Sequence, residues 1–251
     1  MKQILFIPYL FSLFAVIQAC SNQTDYQTVK KMERTSKTAD ANTLSPEEIA
    51  EGWQLLFDGQ SLSLWKGYNM DGLPKEGWFI RRGELVGKGG AALITKAKFE
   101  NFEFKLDFQL TKAANSGIFY FVNEVLGEPI YRQAPEYQLI DNETYLNTQG
   151  AEIMHKHLTG DAFNLYDGLI NPGIGHGKWY QAKIRVKDGQ VQHWLNEKLC
   201  IEYDIHSKEW QSIVADSNFD ETVFAKPAIG HIGLQYWASE VKFRNLKIRN
   251  L

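Results

Sequence analysis

Two short runs of this sequence alternate polar and apolar residues in a way that would gather reactive side chains on one surface. In Glu136-Tyr137-Gln138-Leu139-Ile140-Asp141, an extended backbone sends Tyr137 and Leu139 to one side and Glu136 and Gln138 to the other. In His231-Ile232-Gly233-Leu234-Gln235-Tyr236-Trp237, the same parity turns Ile232, Leu234 and Tyr236 inward and leaves His231, Gln235 and Trp237 opposite. A carboxylate can accept a proton and an imidazole can pass one on. Two carboxamides can hold hydroxyls, and an indole can lie against a flat ring. Such a set suits a sugar better than a hydrophobic core.

The elements that would carry these residues are strands. Phe102 to Leu110 alternates along its whole length, and Tyr180, Ala182, Ile184 and Val186 repeat the pattern with Lys183 and Arg185 between them. Lys187-Asp188-Gly189-Gln190 predicts a hairpin turn into residues 191–195, and Asn196-Glu197 a second into residues 198–203. Shorter strands are expected over residues 78–81, 84–86 and 92–95. Along residues 241–248 the parity changes, because Val241 and Phe243 share one face while Leu246 and Ile248 take the other. A bulge near Arg244-Asn245 reconciles them. The only helix signal is a short turn at Pro46–Ala50, with Ser45 as its cap and Glu48 three residues on. Many antiparallel strands joined by tight turns predict an all-β fold, a two-sheet jelly-roll sandwich.

The chain opens with Lys2 and an apolar run over residues 4–17, followed by Ile17-Gln18-Ala19-Cys20, a pattern similar to a bacterial lipoprotein processing box. The run is too short and wrongly flanked to span a bilayer. Residues 1–19 therefore read as a lipoprotein signal peptide and Cys20 as the lipidated first residue, with a plain secretory signal as the alternative. Residues 20–45, rich in Thr, Lys, Asn and Gln, read as a flexible tether, and residues 46–251 as a single domain. The expected location is the bacterial cell envelope, lipid-anchored, periplasmic or surface-exposed, with membrane contact through the anchor only. With 27 Lys and Arg against 30 Asp and Glu, the formal charge of −3 provides no electrostatic footprint for nucleic acid. If Cys20 is an anchor, Cys200 has no disulfide partner, and its strand-like surroundings predict a buried, inert thiol.

Taken together, several motifs resemble the 3-keto-disaccharide hydrolase family. They are Trp53-Gln54-Leu55-Leu56-Phe57-Asp58-Gly59, Asn115-Ser116-Gly117-Ile118, Glu136-Tyr137-Gln138-Leu139-Ile140-Asp141, His193-Trp194-Leu195-Asn196, Gly233-Leu234-Gln235 and the closing Val241-Lys242-Phe243-Arg244-Asn245-Leu246-Lys247-Ile248. The resemblance runs from about Gly52 to Leu251. It implies a fold similar to concanavalin-type lectins and glucanases, a groove across one sheet, and carbohydrate as the substrate. Three positions depart from the family pattern: Phe119 stands where a cation is common, Tyr145 where a histidine is common, and Tyr236-Trp237 where an Asp-His pair is common.

In a 3-keto sugar the ketone acidifies the hydrogen on carbon 2, and the glycosidic oxygen on carbon 1 lies β to that ketone. A base can remove the proton, the enediolate can expel the alcohol, and water can add back. Glu136 is the candidate base, the alternative being a carboxylate at an open strand edge. His231 and Asp141 are further catalytic candidates, weighed against a structural histidine and a turn-capping aspartate. Gln138, Gln235, Trp237, Asn115 and Tyr145 are the candidate substrate contacts, with cross-strand amide pairing and half-buried aromatic packing as the plain alternatives. His155 and His157 lie two apart without an obvious third ligand, so no metal or other cofactor is expected, although a structural calcium held by loop oxygens is compatible with the fold. Asp161 and Asp167 read as a solvated loop face. Jelly-roll glucanases carry acids at alternate positions of one strand, whereas this chain has Glu136-x-Gln138-x-Ile140, which speaks against a two-carboxylate glycosidase. A non-catalytic glycan-binding module and a structural partner-binding sandwich remain as readings from other classes. Turnover of a 3-keto glycoside, binding without turnover, or no sugar-shaped cleft would separate the three.

Overall fold

In the computed structural model, which describes residues 41–168 and 173–251, the alternating runs form two antiparallel sheets. The expected signal peptide, Cys20 and residues 20–40 of the tether lie outside the described residues. The larger sheet runs in the order β11 (Lys198–Asp204), β10 (Gln190–Leu195), β9 (Trp179–Lys187), β6 (Phe102–Leu110), β13 (Val241–Asn250), β4 (Glu84–Gly87) and β3 (Trp78–Arg81), with β1 (Gln54–Leu55) also paired to β13. The smaller runs β2 (Trp65–Gly67), β5 (Leu93–Thr95), β12 (His231–Ala238), β7 (Asn115–Val122) and β8 (Glu136–Ile140).

Strand parity builds the core. Phe102, Phe104, Leu106 and Phe108 of β6 join Ala182 and Ile184 of β9 in one buried cluster with Ile118, Tyr137, Leu139, Ile232 and Leu234 of the smaller sheet. Burying each of the larger side chains contributes about 1.5–3 kcal/mol before chain entropy is counted. Asp188 and Gly189 (φ 50° and 82°) and Asn196 and Glu197 (φ 47° and 63°) form the two tight turns at the expected places. Positive φ at both turn residues matches the twist of the strands they join. The expected bulge is present too: the register of β13 on β6 shifts between Arg244 and Lys247, and Asn245 takes φ 55°.

That bulge corrects the expected extent of the tether. Asn42 is buried; its backbone N–H donates to Asn245 Oδ1 at 2.6 Å, its Oδ1 accepts from the Asn245 N–H at 2.8 Å, and its Nδ2 donates to Gly83 O. Asn42 is thus tied into the fold ahead of Pro46, because the bulge exposes backbone groups that need partners. Helix α1 (Pro46–Ala50) carries the full Ser45–Glu48 capping box. Two further helices were not anticipated: α2 (Asn142–Gln149), which has no apolar stripe to announce it, and α3 (Lys208–Ala215), which buries Trp210 and Val214. Cys200 is free and buried, and burial pushes its thiol up to about 11.

Candidate active site

The side of the smaller sheet facing away from the core carries the polar rows. Cross-strand register places Gln235, Gly117 and Gln138 in one row and Gly233, Phe119 and Glu136 in the next. Above them lies a cavity of about 690 Å³ lined by Asn115, Glu136, Gln138, Gln235 and Trp237 from the strands. Its other walls come from connections: Tyr131 and Arg132 between β7 and β8, Phe163 and Asn164 from the excursion before β9, and Asn218 and Phe219 beyond α3.

Glu136 sits at the floor, 4 % exposed. Its carboxylate lies over Gly117, where any Cβ would collide with Oε1, so the glycine of Asn115-Ser116-Gly117 makes room for an acid rather than for backbone. Gln235 Nε2 donates to Oε1, and among the described residues no donor reaches Oε2. Burial in a low-dielectric site disfavours the ion and raises the Glu136 pKa well above the ordinary carboxylate range, while the Gln235 hydrogen bond pulls the other way. Gln138 Nε2 donates to Asn115 Oδ1 at 2.9 Å and to Ser116 O at 3.2 Å. The two glutamines therefore do not pair with each other. Trp237 is 69 % exposed at the rim, presenting a bare indole face.

Two catalytic candidates do not join this group. His231 has the same parity as Gln235, yet Ile130 packs over Gly233 with Phe119 and Val122 and seals the row between them. His231 is buried beyond that seal, with Nδ1 on Ala97 O at 3.2 Å and Nε2 3.9 Å from Glu124, and burial lowers its pKa. Asp141 is the N-cap of α2 and does not line the cavity. Its oxygens accept from Thr144 N, Thr144 Oγ1 and Ala113 N, with His176 at 3.2 Å. Despite burial, these donors hold its carboxyl below the usual range. Tyr145, on α2, points its hydroxyl toward Ala113 O at 3.4 Å and reaches the cavity only through its neighbour Asn115.

Of the two loop aspartates, Asp167 is exposed as expected and Asp161 is not. Asp161 is buried, accepts from Leu158 N and Gly168 N at 2.7 Å each, and is raised by burial to about 6, so it staples its loop instead of facing solvent. Asp167 accepts from Lys156 N and pairs with His155 at 2.9 Å. His157 bonds Asn164 Oδ1 at 2.6 Å and so steadies a cavity residue from behind. Among the described residues no group of three or more His, Cys, Asp or Glu is arranged to hold a metal. Tyr131, Arg132, Phe163, Asn164, Asn218 and Phe219 lie on connections without hydrophobic period. A second hollow, about 490 Å³ between α3 and the following loop, has only exposed ionisable residues, His206, Glu221 and Lys226.

The profile of 3-keto-α-glucoside-1,2-lyase-like domains matches residues 52–249, nearly the whole folded part. The chain belongs to this family. Within its wider kin, a 3-keto-disaccharide hydrolase of Bacteroides thetaiotaomicron is 29 % identical over 268 residues, covering 93 % of this chain and 90 % of that protein. The crystal structure of a candidate glycosyl hydrolase from Parabacteroides distasonis superposes with a TM-score of 0.77 at 30 % identity, over 84 % of this chain and all of that one. A second from the same organism, at 23 % identity and TM-score 0.64, covers 79 % of this chain and 99 % of its own, and shares the fold. The lyase-like family thus has the two-sheet jelly-roll architecture described above.

Proposed function

We propose that the cavity cleaves 3-keto glycosides, with Glu136 taking the proton from carbon 2. The observation that carries this reading is a lone carboxylate, desolvated at the floor of a sugar-sized cavity and held by one amide, in a chain whose family and one curated relative are named for 3-keto substrates. A desolvated carboxylate is a stronger base once ionised, which suits removal of a weakly acidic carbon-bound proton. The carbon–hydrogen pair becomes a carbon 2–carbon 3 double bond and the ketone oxygen takes the charge. Collapse of that enolate breaks the bond from carbon 1 to the leaving oxygen. Glu136 in its acid form and the Tyr131 phenol are the lining groups able to return a proton. Water then adds across the carbon 1–carbon 2 double bond, its oxygen to carbon 1 and a proton to carbon 2, which restores a 3-keto sugar.

Gln138, Asn115, Asn164 and Asn218 supply amide donors and acceptors for the ring hydroxyls, and Trp237 offers a stacking face for the sugar or its leaving group. Glu136 is the only carboxylate on the lining among the described residues, whereas direct displacement at an unoxidised glycoside calls for a pair. The purified protein should release p-nitrophenol from the 3-keto form of p-nitrophenyl glucoside and leave the unoxidised compound intact. Binding of both without release would instead identify a lectin-like module. The N-terminal pattern supports action at the cell envelope. Cys20→Ser should then move the protein from the membrane to the soluble fraction, and an unchanged membrane association would refute the anchor.

A further inference from the structure

The turn above the Glu136 cavity carries a cation that no group among the described residues neutralises. Residues Ile130–Arg132 form a single 3-10 turn in the connection between β7 and β8. Its backbone is fixed on two sides. Ile130 is buried over Gly233, where a Cβ would come within 3.1 Å of its Cδ1, and Gln133, just past the turn, accepts from Ala225 N at 3.0 Å. The absence of a side chain at Gly233 is what lets the turn settle so close to the sheet. Arg132 N donates to Pro129 O, yet among the described residues its guanidinium makes no ion pair or hydrogen bond.

Among the described residues, Arg132 and Glu136 are the only charged ones on the cavity lining, and they are not bonded to each other. An unpaired base and an unpaired cation on different walls fit a guest that arrives neutral and becomes negative during reaction. A neutral sugar bound through its hydroxyls can accept hydrogen bonds from that guanidinium but does not call for its charge. An enolate does, since charge that moves from the carboxylate to the substrate needs a counter-charge already in place.

We propose that Arg132 is a catalytic residue that holds the carbon-3 carbonyl oxygen and stabilises the enolate formed when Glu136 removes the carbon-2 proton. This rests on the function proposed above. The carbon 2–hydrogen pair moves into the new carbon–carbon double bond, the carbonyl π pair moves onto oxygen 3, and the proton stays on Glu136. One negative charge is thus transferred from Glu136 to oxygen 3, and none is created. The planar fork of the guanidinium can engage oxygen 3 and the adjacent oxygen 2 together, a geometry that an ammonium cannot copy. The same contact selects for the ketone over the hydroxyl of an unoxidised sugar.

The test uses the full chain with 3-keto p-nitrophenyl glucoside, comparing wild type, Arg132→Ala and Arg132→Lys. The alanine variant should lose about 10²–10³-fold in kcat with a much smaller change in KM, as expected for a group that acts on transition-state charge. Millimolar guanidinium should restore part of that loss, the lysine variant should fall between the two, and Tm should hold because the residue is exposed. A kcat within about 3-fold of wild type would overturn the proposal, as would a rise in KM alone. A fall in Tm with no response to guanidinium would assign Arg132 a structural role and also overturn it. If wild type itself releases no p-nitrophenol, the functional reading fails first and the role of Arg132 falls with it; active wild type with an unimpaired variant removes Arg132 alone.

Discussion

Glu136 and Tyr137 are neighbours in β8, yet they face two buried regions of opposite character. On the inner side, Tyr137 stacks on His193 with ring centroids 4.6 Å apart and donates to Trp194 O at 3.1 Å. His193 bonds Gly160 O through Nδ1 at 3.1 Å and Tyr120 Oη through Nε2 at 2.9 Å, and Tyr120 Oη pairs in turn with Tyr203 Oη. The Gly160 carbonyl can only accept, so Nδ1 carries the proton, Nε2 accepts from Tyr120, and Tyr203 donates to Tyr120. Burial pushes His193 down to about 3, leaving a neutral ring whose bonds are all made. Burial perturbs Glu136 just as decisively, but one of its oxygens has no donor and a cavity stands before it. Desolvation alone therefore does not mark a reactive group. Desolvation with an unused lone pair facing open space does.

Glu136→Gln should separate the two regions most sharply. Aglycone release should fall about 10³-fold, the scale of losing a general base. At pH 8 the same variant should melt a few degrees above wild type, by roughly 2–4 °C per kcal/mol relieved. The sign follows from the raised pKa. Below the unfolded pKa both states hold the proton, so burying the acid carries no ionisation penalty. As pH rises from there through the folded pKa, the unfolded chain ionises more readily and the native state loses stability. The gain in Tm should thus shrink toward pH 4; a variant no more stable at pH 8 than wild type would contradict the assigned burial penalty.

Gly117→Ala comes next. Its methyl would occupy the space of Glu136 Oε1, and displacement of the base by about an ångström should lower kcat on the order of 10²-fold. Retention of full activity would show that the carboxylate does not work from this position. Gln235→Leu removes the donor that counteracts desolvation, so the acidic limb of kcat/KM should move to higher pH, with a loss of about 3–10-fold on the limb and little on the plateau above it. An unmoved limb would mean that Glu136 does not govern it. The smallest effect on catalysis belongs to the inner region. His193→Leu leaves Tyr120 Oη and Gly160 O without their partner and should lower stability by about 1–3 kcal/mol, seen in urea melts, with kcat within roughly 2-fold. A collapse of kcat there would mean that the two faces are not independent.

Period-two alternation made the strands and their buried face legible, from Phe102 to Leu110 through the parity of β8 and β12, and it brought Glu136, Gln138 and Gln235 to one surface. Alternation assigns a face but not a neighbourhood. His231 has the right parity and lies beyond a seal made by Ile130, a residue of an irregular connection. Asp141 was legible as a possible turn cap, but the helix α2 that it caps was not, because that helix has no apolar stripe. Arg132, Phe163 and Phe219 reach the cavity from loops, whose paths depend on packing that no local pattern encodes.

The account turns on a proton leaving carbon 2. Brief turnover of a 3-keto glucoside in deuterium oxide, with NMR of the released sugar at early times, reads that step directly. Elimination followed by hydration predicts deuterium at carbon 2 of the product from the first turnovers, and neither release nor label with Glu136→Gln. Product that retains its original hydrogen at carbon 2, together with continued release by Glu136→Gln, would show that the glycosidic bond breaks without removal of that proton and would contradict the role assigned to Glu136.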